Sequence, residues 1–198
     1  MTSTTTRTLL LAALASPLFA HAEGHLGVTP VSAASLGFLH PLSGWDHLLA
    51  MVTVGLLGAS LAGKHRFALP GTFLAAFGVG AGVALAGMPL IGSEWVISGS
   101  VLLFGAYLAF ATVPKQIVYA TVAVAALFHG HAHLAELPSG AGVVTYGLGM
   151  FAATAFLHVT GLLAGIGLQQ RTPVATLRIA GGGIAACGAV LLGLLAAG

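Results

Sequence analysis

Apolar stretches of about twenty residues follow one another along this chain with only short polar breaks between them, and this pattern narrows its fold more than anything else. A hydrocarbon core about 30 Å thick takes a helix of about 20 apolar residues to cross, and inside it every backbone N–H and C=O must be satisfied within the segment. The pattern predicts an all-α polytopic membrane protein. Composition agrees: 58% of the 198 residues are apolar and 5% charged, and the mean hydropathy of +1.03 lies outside the range of soluble domains. Six basic residues against four acidic ones give a formal charge of +2. They are spread along the chain, which is no nucleic-acid footprint. The partner this surface implies is the lipid bilayer.

The first residues read differently. A polar start with Arg7, an apolar run from Leu9 to Leu14, Pro17, and the small-residue signal Ala20-His21-Ala22 have the anatomy of a secretory signal peptide. Residues 1–22 are expected to be removed, leaving 23–198 as one transmembrane domain; the alternative is an uncleaved first helix. Cleavage after Ala22 would place His25 third from a free α-amine. Amine, two amide nitrogens and imidazole at that spacing can wrap Ni²⁺ or Cu²⁺ in a square-planar set, the bland reading being a solvated tail.

Six spans are predicted, at 43–61, 67–88, 94–113, 117–135, 142–168 and 174–197, preceded by a short apolar stretch at 31–39. Pro41 is expected to bend the chain at His40-Pro41, since proline lacks an N–H and disfavours helical geometry in the residue before it. With the mature N-terminus outside, the loops 62–66, 114–116 and 169–173 are cytoplasmic. They hold Lys64, Arg66, Lys115 and Arg171, Arg178 lies just inside the last helix, and the outer loops hold no Lys or Arg. That segregation obeys the positive-inside rule and predicts a multi-pass protein of the bacterial inner membrane with a periplasmic N-terminus. The pairs Gly78/Gly82 and Gly161/Gly165 have the spacing that lets membrane helices approach closely. Cys187, the single cysteine, sits in an apolar run and reads as a small packing residue.

Ionisable side chains within a membrane are costly, and those that persist usually face a polar cavity and serve function. One cluster holds His40, Asp46 and His47 around the start of the first span, with Met51 one turn on and more plausible as packing than as a ligand. A second holds His129, His131, His133 and Glu136 at the end of the fourth. At about 100° per residue His133 lies about 40° from His129 and Glu136 about 20° to the other side, so those three share a face, while His131 points away toward lipid interface or water. Imidazole and carboxylate suit Ni²⁺, Co²⁺ or Zn²⁺, and three such groups on one face point to a metal or proton site. The assumed topology puts both clusters at the outer face, where they can meet. His158 sits deeper in the fifth span, either as the next station inward or as an interhelical hydrogen-bonding residue. Glu94 opens the third span, as an entry carboxylate or, preferably, as a favourable charge at a helix N-terminus.

At these two clusters the chain resembles the HupE/UreJ family. His-x₅-Asp-His is matched by His40, Asp46 and His47; Phe-His-Gly-x-Ala/Val-His-Gly-x-Glu is matched at Phe128, His129, Gly130, Ala132, His133 and Glu136, with Leu134 standing where the pattern has glycine. The resemblance implies a permease without an ATPase domain, passing nickel or cobalt into the cytoplasm for hydrogenase or urease maturation, with a cytoplasmic metallochaperone as the receiving partner. The ion is then cargo, and no permanent cofactor is expected. The chain contains no Gly-x₄-Gly-Lys-Ser/Thr phosphate loop.

An enzyme is the rival class. An intramembrane serine protease needs an activated serine with a histidine in reach, yet there is no Gly-x-Ser-Gly and the last span has no histidine. A membrane-embedded metal-dependent hydrolase stays open as the alternative, since ligands alone do not separate catalysis from passage. Bis-histidine haem binding would leave the carboxylates unexplained.

Overall fold

The computed structural model describes residues 29–171 and 174–198; the expected signal peptide and His25 lie outside the described residues. Among the described residues the chain forms seven helices: α1 (Pro30–Ser43), α2 (Trp45–Ser60), α3 (His65–Leu85), α4 (Ser93–Phe110), α5 (Lys115–Ala135), α6 (Val143–Arg171) and α7 (Val174–Ala197). The last five are each long and apolar enough to cross a membrane. α1 and α2, bent by 84° at their junction, add a sixth span if counted as one.

That junction corrects the expectation at Pro41. α1 runs through His40 and Pro41 to Ser43, and the chain turns at Gly44, which takes an extended conformation with φ −102° and ψ 127°. Proline costs a helix the bond from its own N–H and crowds the carbonyl four residues back. Near a C-terminus little helix remains to lose, and the Ser43 hydroxyl, donating to the His40 carbonyl at 2.7 Å, closes the final turn. Span ends also differ from expectation. α4 stops at Phe110 because Pro114 lies ahead and Ala111 caps the helix in the left-handed region at φ 55°. An alanine there costs about 1–2 kcal/mol. Part of that is recovered by Ala111→Gly, which should raise the thermal midpoint of detergent-solubilised protein by about 1–3 °C; an unchanged or lower midpoint would show that the strain is absorbed elsewhere.

α2 is the central helix. Nine of its residues, including Ala50, Met51, Val54 and Leu57, are buried, as expected for a helix apolar on every side. Met51 is fully covered in the main apolar cluster, in keeping with a packing role. α6 packs on α1 and α2, α3 on α5, and α4 on α7. With no hydrophobic drive between helices in lipid, close backbone approach must hold these pairs together. A Cβ at Gly80 would collide with the Leu127 carbonyl and one at Gly130 with the Phe77 carbonyl, so each of α3 and α5 gives up a side chain to the other's backbone. Gly55 and Gly161 do the same between α2 and α6, and Gly165 lies against Ala59. Gly78 and Gly82 do not: a side chain at either would meet open space. Of the two pairs expected to mediate packing, only Gly161/Gly165 does so. The pattern names spacing, not the face it falls on.

The outer surface is apolar, with Phe67, Ile91, Phe110, Val144 and Ile179 all more than 65% exposed, a belt that suits lipid. Cys187 belongs to this exposed face rather than to the packed interior, a second correction; it borders an apolar groove with Trp45, Leu49 and Val190. Polar contacts tie the helix ends together. Gln169 donates to the Ala59 carbonyl at 3.1 Å, and His65 Nδ1 meets the Tyr119 hydroxyl at 3.2 Å. Lys64, Arg66, Lys115 and Arg171 consequently gather at one end, where α2, α4 and α6 finish, while Asp46, Glu94 and Glu136 lie toward the other.

Candidate metal centre

The bend at Gly44 positions the site. It carries the end of α1 back over the start of α2, so that His40, from α1, faces His47 with ring centroids 6.5 Å apart. From α5, whose last turns lie beside this junction, come His129 and His133. The His133 ring stands 4.8 Å from that of His40 and 4.3 Å from that of His47; His129 stands 5.2 Å from His47. Glu136, at the C-cap of α5, closes the group through its Oε2, 3.3 Å from His40 Nε2. The two sequence clusters are one cluster in space, six side chains drawn from α1, α2 and α5.

Hydrogen bonding fixes how several imidazoles present themselves. Asp46 Oδ1 accepts from the His47 backbone N–H at 2.8 Å and from His47 Nδ1 at 2.7 Å. A carboxylate can only accept, so the proton sits on Nδ1 and the Nε2 lone pair is free. The Ala125 carbonyl does the same for His129, taking its Nδ1–H at 2.8 Å. His47 Nε2, His129 Nε2 and both nitrogens of His133 are buried without a partner among the described residues. Such groups are costly unless something binds them. A neutral imidazole oriented by a carboxylate or carbonyl on its far nitrogen is how proteins commonly present histidine to a metal. With the imidazoles neutral, Asp46 and Glu136 give the group a charge of −2, the complement of a divalent cation. His40–His47, His40–His133 and His47–His129 pack edge to face while His47–His133 is tilted at 47°, and among the described residues no three of these groups already converge on one point.

Glu136 lies just beyond the span. The His40 imidazole beside it holds its carboxyl below the usual range, a direction that outweighs its partial burial. It is therefore ionised near neutral pH.

The other candidates divide. His158, on α6, is buried with neither ring nitrogen partnered, and its ring stands 4.8 Å from Phe73, which also lies 5.5 Å from His129. Phe73 thus lies between the cluster and His158. Glu94 is exposed in the first turn of α4 and makes no hydrogen bond or ion pair among the described residues, a placement that matches a favourable helix-end charge. His131, expected toward lipid interface or water, is instead buried; its Nε2–H donates to the Met88 carbonyl at 2.8 Å and pins the turn after α3 onto α5. The angular argument put it off the shared face correctly but could not see that a loop covers that side. Tyr146 was missed altogether. Its ring stands 6.2 Å from His40, with the hydroxyl buried and unpartnered. An aromatic within an apolar run gives no signal of this kind.

Comparison with known proteins follows the same motifs. The family model described as HupE / UreJ protein matches residues 9–191. Protein HupE of Rhizobium leguminosarum bv. viciae is 38% identical over 187 residues, covering 93% of this chain and 96% of that protein. No solved structure matches.

Proposed function

The chain belongs to the HupE/UreJ family, and from that premise we propose that it is an ATP-independent permease passing nickel, with cobalt as the second candidate, across the bacterial inner membrane into the cytoplasm for hydrogenase or urease maturation. The observation that supports this most is the set of buried, partnerless imidazole nitrogens of His47, His129 and His133 beside two carboxylates. The basic residues at the opposite end favour an orientation with the cluster facing the periplasm and the basic end facing the cytoplasm. A metallochaperone of the maturation pathway would receive the ion there.

In this reading the ion sheds part of its water at His40, His47, His129, His133 and Glu136. Asp46 acts chiefly by holding His47 in its binding tautomer. Conduction requires binding weak enough, or divided among enough groups, for release, and donors spread over three helices meet that need. The ion is cargo in this scheme, and the hydrolase alternative has no additional observation in its favour.

Asp46→Asn keeps an acceptor but loses the charge that stabilises the oriented ring. Its nickel affinity should fall about 10–100-fold, the cost of losing such an outer partner, read as a raised half-saturation concentration for uptake with protein levels unchanged. An unaltered half-saturation would remove Asp46 from the site. Acid has a defined sign as well. Imidazole must be deprotonated to bind metal, and its ordinary pKa is about 6.5. Uptake should therefore be full near pH 7.5 and fall several-fold by about pH 5, a window in which Glu136 remains ionised and cannot be the cause. A flat profile would contradict this acid sensitivity.

A further inference from the structure

α6 carries a second row of donors that leads away from the cluster. Tyr146, Met150, Thr154 and His158 follow one another every four residues, and each is at most 2% exposed. Each step advances about 6 Å along the helix and turns about 40°, so the row descends about 18 Å in a shallow spiral, more than half the hydrocarbon core. It starts against His40 of α1, beside Tyr146, and finishes against Phe73 of α3, beside His158.

Thr154 is the unusual member. A threonine inside a helix normally donates its hydroxyl to the carbonyl four residues back. Thr53, Thr72, Thr121 and Thr160 all do so, to Leu49, Ala68, Ile117 and Phe156. Thr154, fully buried, does not, and among the described residues its Oγ1 has no partner; neither do the Tyr146 hydroxyl or the His158 nitrogens. Three polar groups left unsatisfied in one row of a membrane helix are an expense that packing does not explain.

We propose that this row is the inner leg of the ion path, with the Thr154 hydroxyl as the relay between the cluster and His158. The inference rests on the permease reading. A hydroxyl is a weak oxygen donor that holds the ion through a water or directly, and a weak station between two imidazole stations is what passage calls for. Binding at the cluster and movement beyond it are then separable properties.

The test measures radioactive nickel uptake in cells expressing wild type, Thr154→Val and Thr154→Ser, with nickel binding to each purified protein measured by calorimetry. Valine keeps the volume and removes the hydroxyl. Uptake by Thr154→Val should fall about tenfold or more, the effect of losing one polar contact to a charged species at the crest of a path, while binding stays as in wild type and serine restores uptake. Should valine prevent membrane insertion, Thr154→Ala is read by the same criteria. Normal uptake by the hydroxyl-free variant beside an active wild type would overturn this inference alone. Binding lost together with uptake would overturn it too, by placing Thr154 in the cluster. A wild type that takes up no nickel would overturn both this inference and the permease reading.

Discussion

Cells producing His133→Ala should show no saturable nickel uptake above the background of cells lacking the protein. His133 is the ring at which the cluster meets, packed against His40 and His47 and bounded by Phe77, with both nitrogens buried and partnerless. Losing an outer partner of a metal ligand typically costs 10–100-fold, and losing a central ligand should cost more than about 100-fold on the same scale. The fold should survive. Removing the imidazole leaves a small cavity but also removes two unsatisfied polar atoms from the interior, and those opposing costs are of similar size. Normal membrane levels and a normal elution volume with transport lost is the expected combination; near-normal transport would mean that the rings gather for packing alone.

Gly130→Leu should have the opposite signature, with little or no folded protein in the membrane. A Cβ at Gly130 would strike the Phe77 carbonyl, and Gly80 opposite is closed off by the Leu127 carbonyl, so α3 and α5 cannot both accept a side chain at their crossing without moving apart. Overpacking a core ordinarily costs about 1–3 kcal/mol when side chains can give way. Here the obstacle is backbone, and the cost should approach the whole of a typical stability of 5–15 kcal/mol. Gly78→Leu is the control: it is a glycine of α3, the helix against which Gly130 packs, with open space where the Cβ would go. It should accumulate normally, and equal loss from both variants would contradict the packing described for this helix pair.

The contrast between those glycines marks where the sequence was legible. Hydropathy and the placement of the basic residues sufficed for the helices, because the bilayer imposes length and backbone satisfaction on each segment independently. The spacing of His129, His133 and Glu136 identified a shared face, and alternation of the spans brought it to the end occupied by His40 and His47. Three-dimensional facts were out of reach. Gly44 rather than Pro41 makes the bend, because a proline two residues before the last residue of a helix has little left to disrupt. Gly78 and Gly82 carry the close-packing spacing yet face outward, and Cys187 lies on an exposed face. Tyr146 and Thr154 are ordinary residues of an apolar segment until their unpaired hydroxyls are seen in the interior. Leu134, at the position where the resemblance has glycine, is buried in the apolar cluster, so the departure is absorbed by packing.

The most direct test of the central claim is radioactive nickel entry into liposomes containing only the purified protein, with His133→Ala in parallel. Saturable entry by the wild type, reduced by competing cobalt and absent in the variant, is the expected result. Tight nickel binding by the wild type with no entry at all would contradict a permease and return the cluster to the hydrolase alternative.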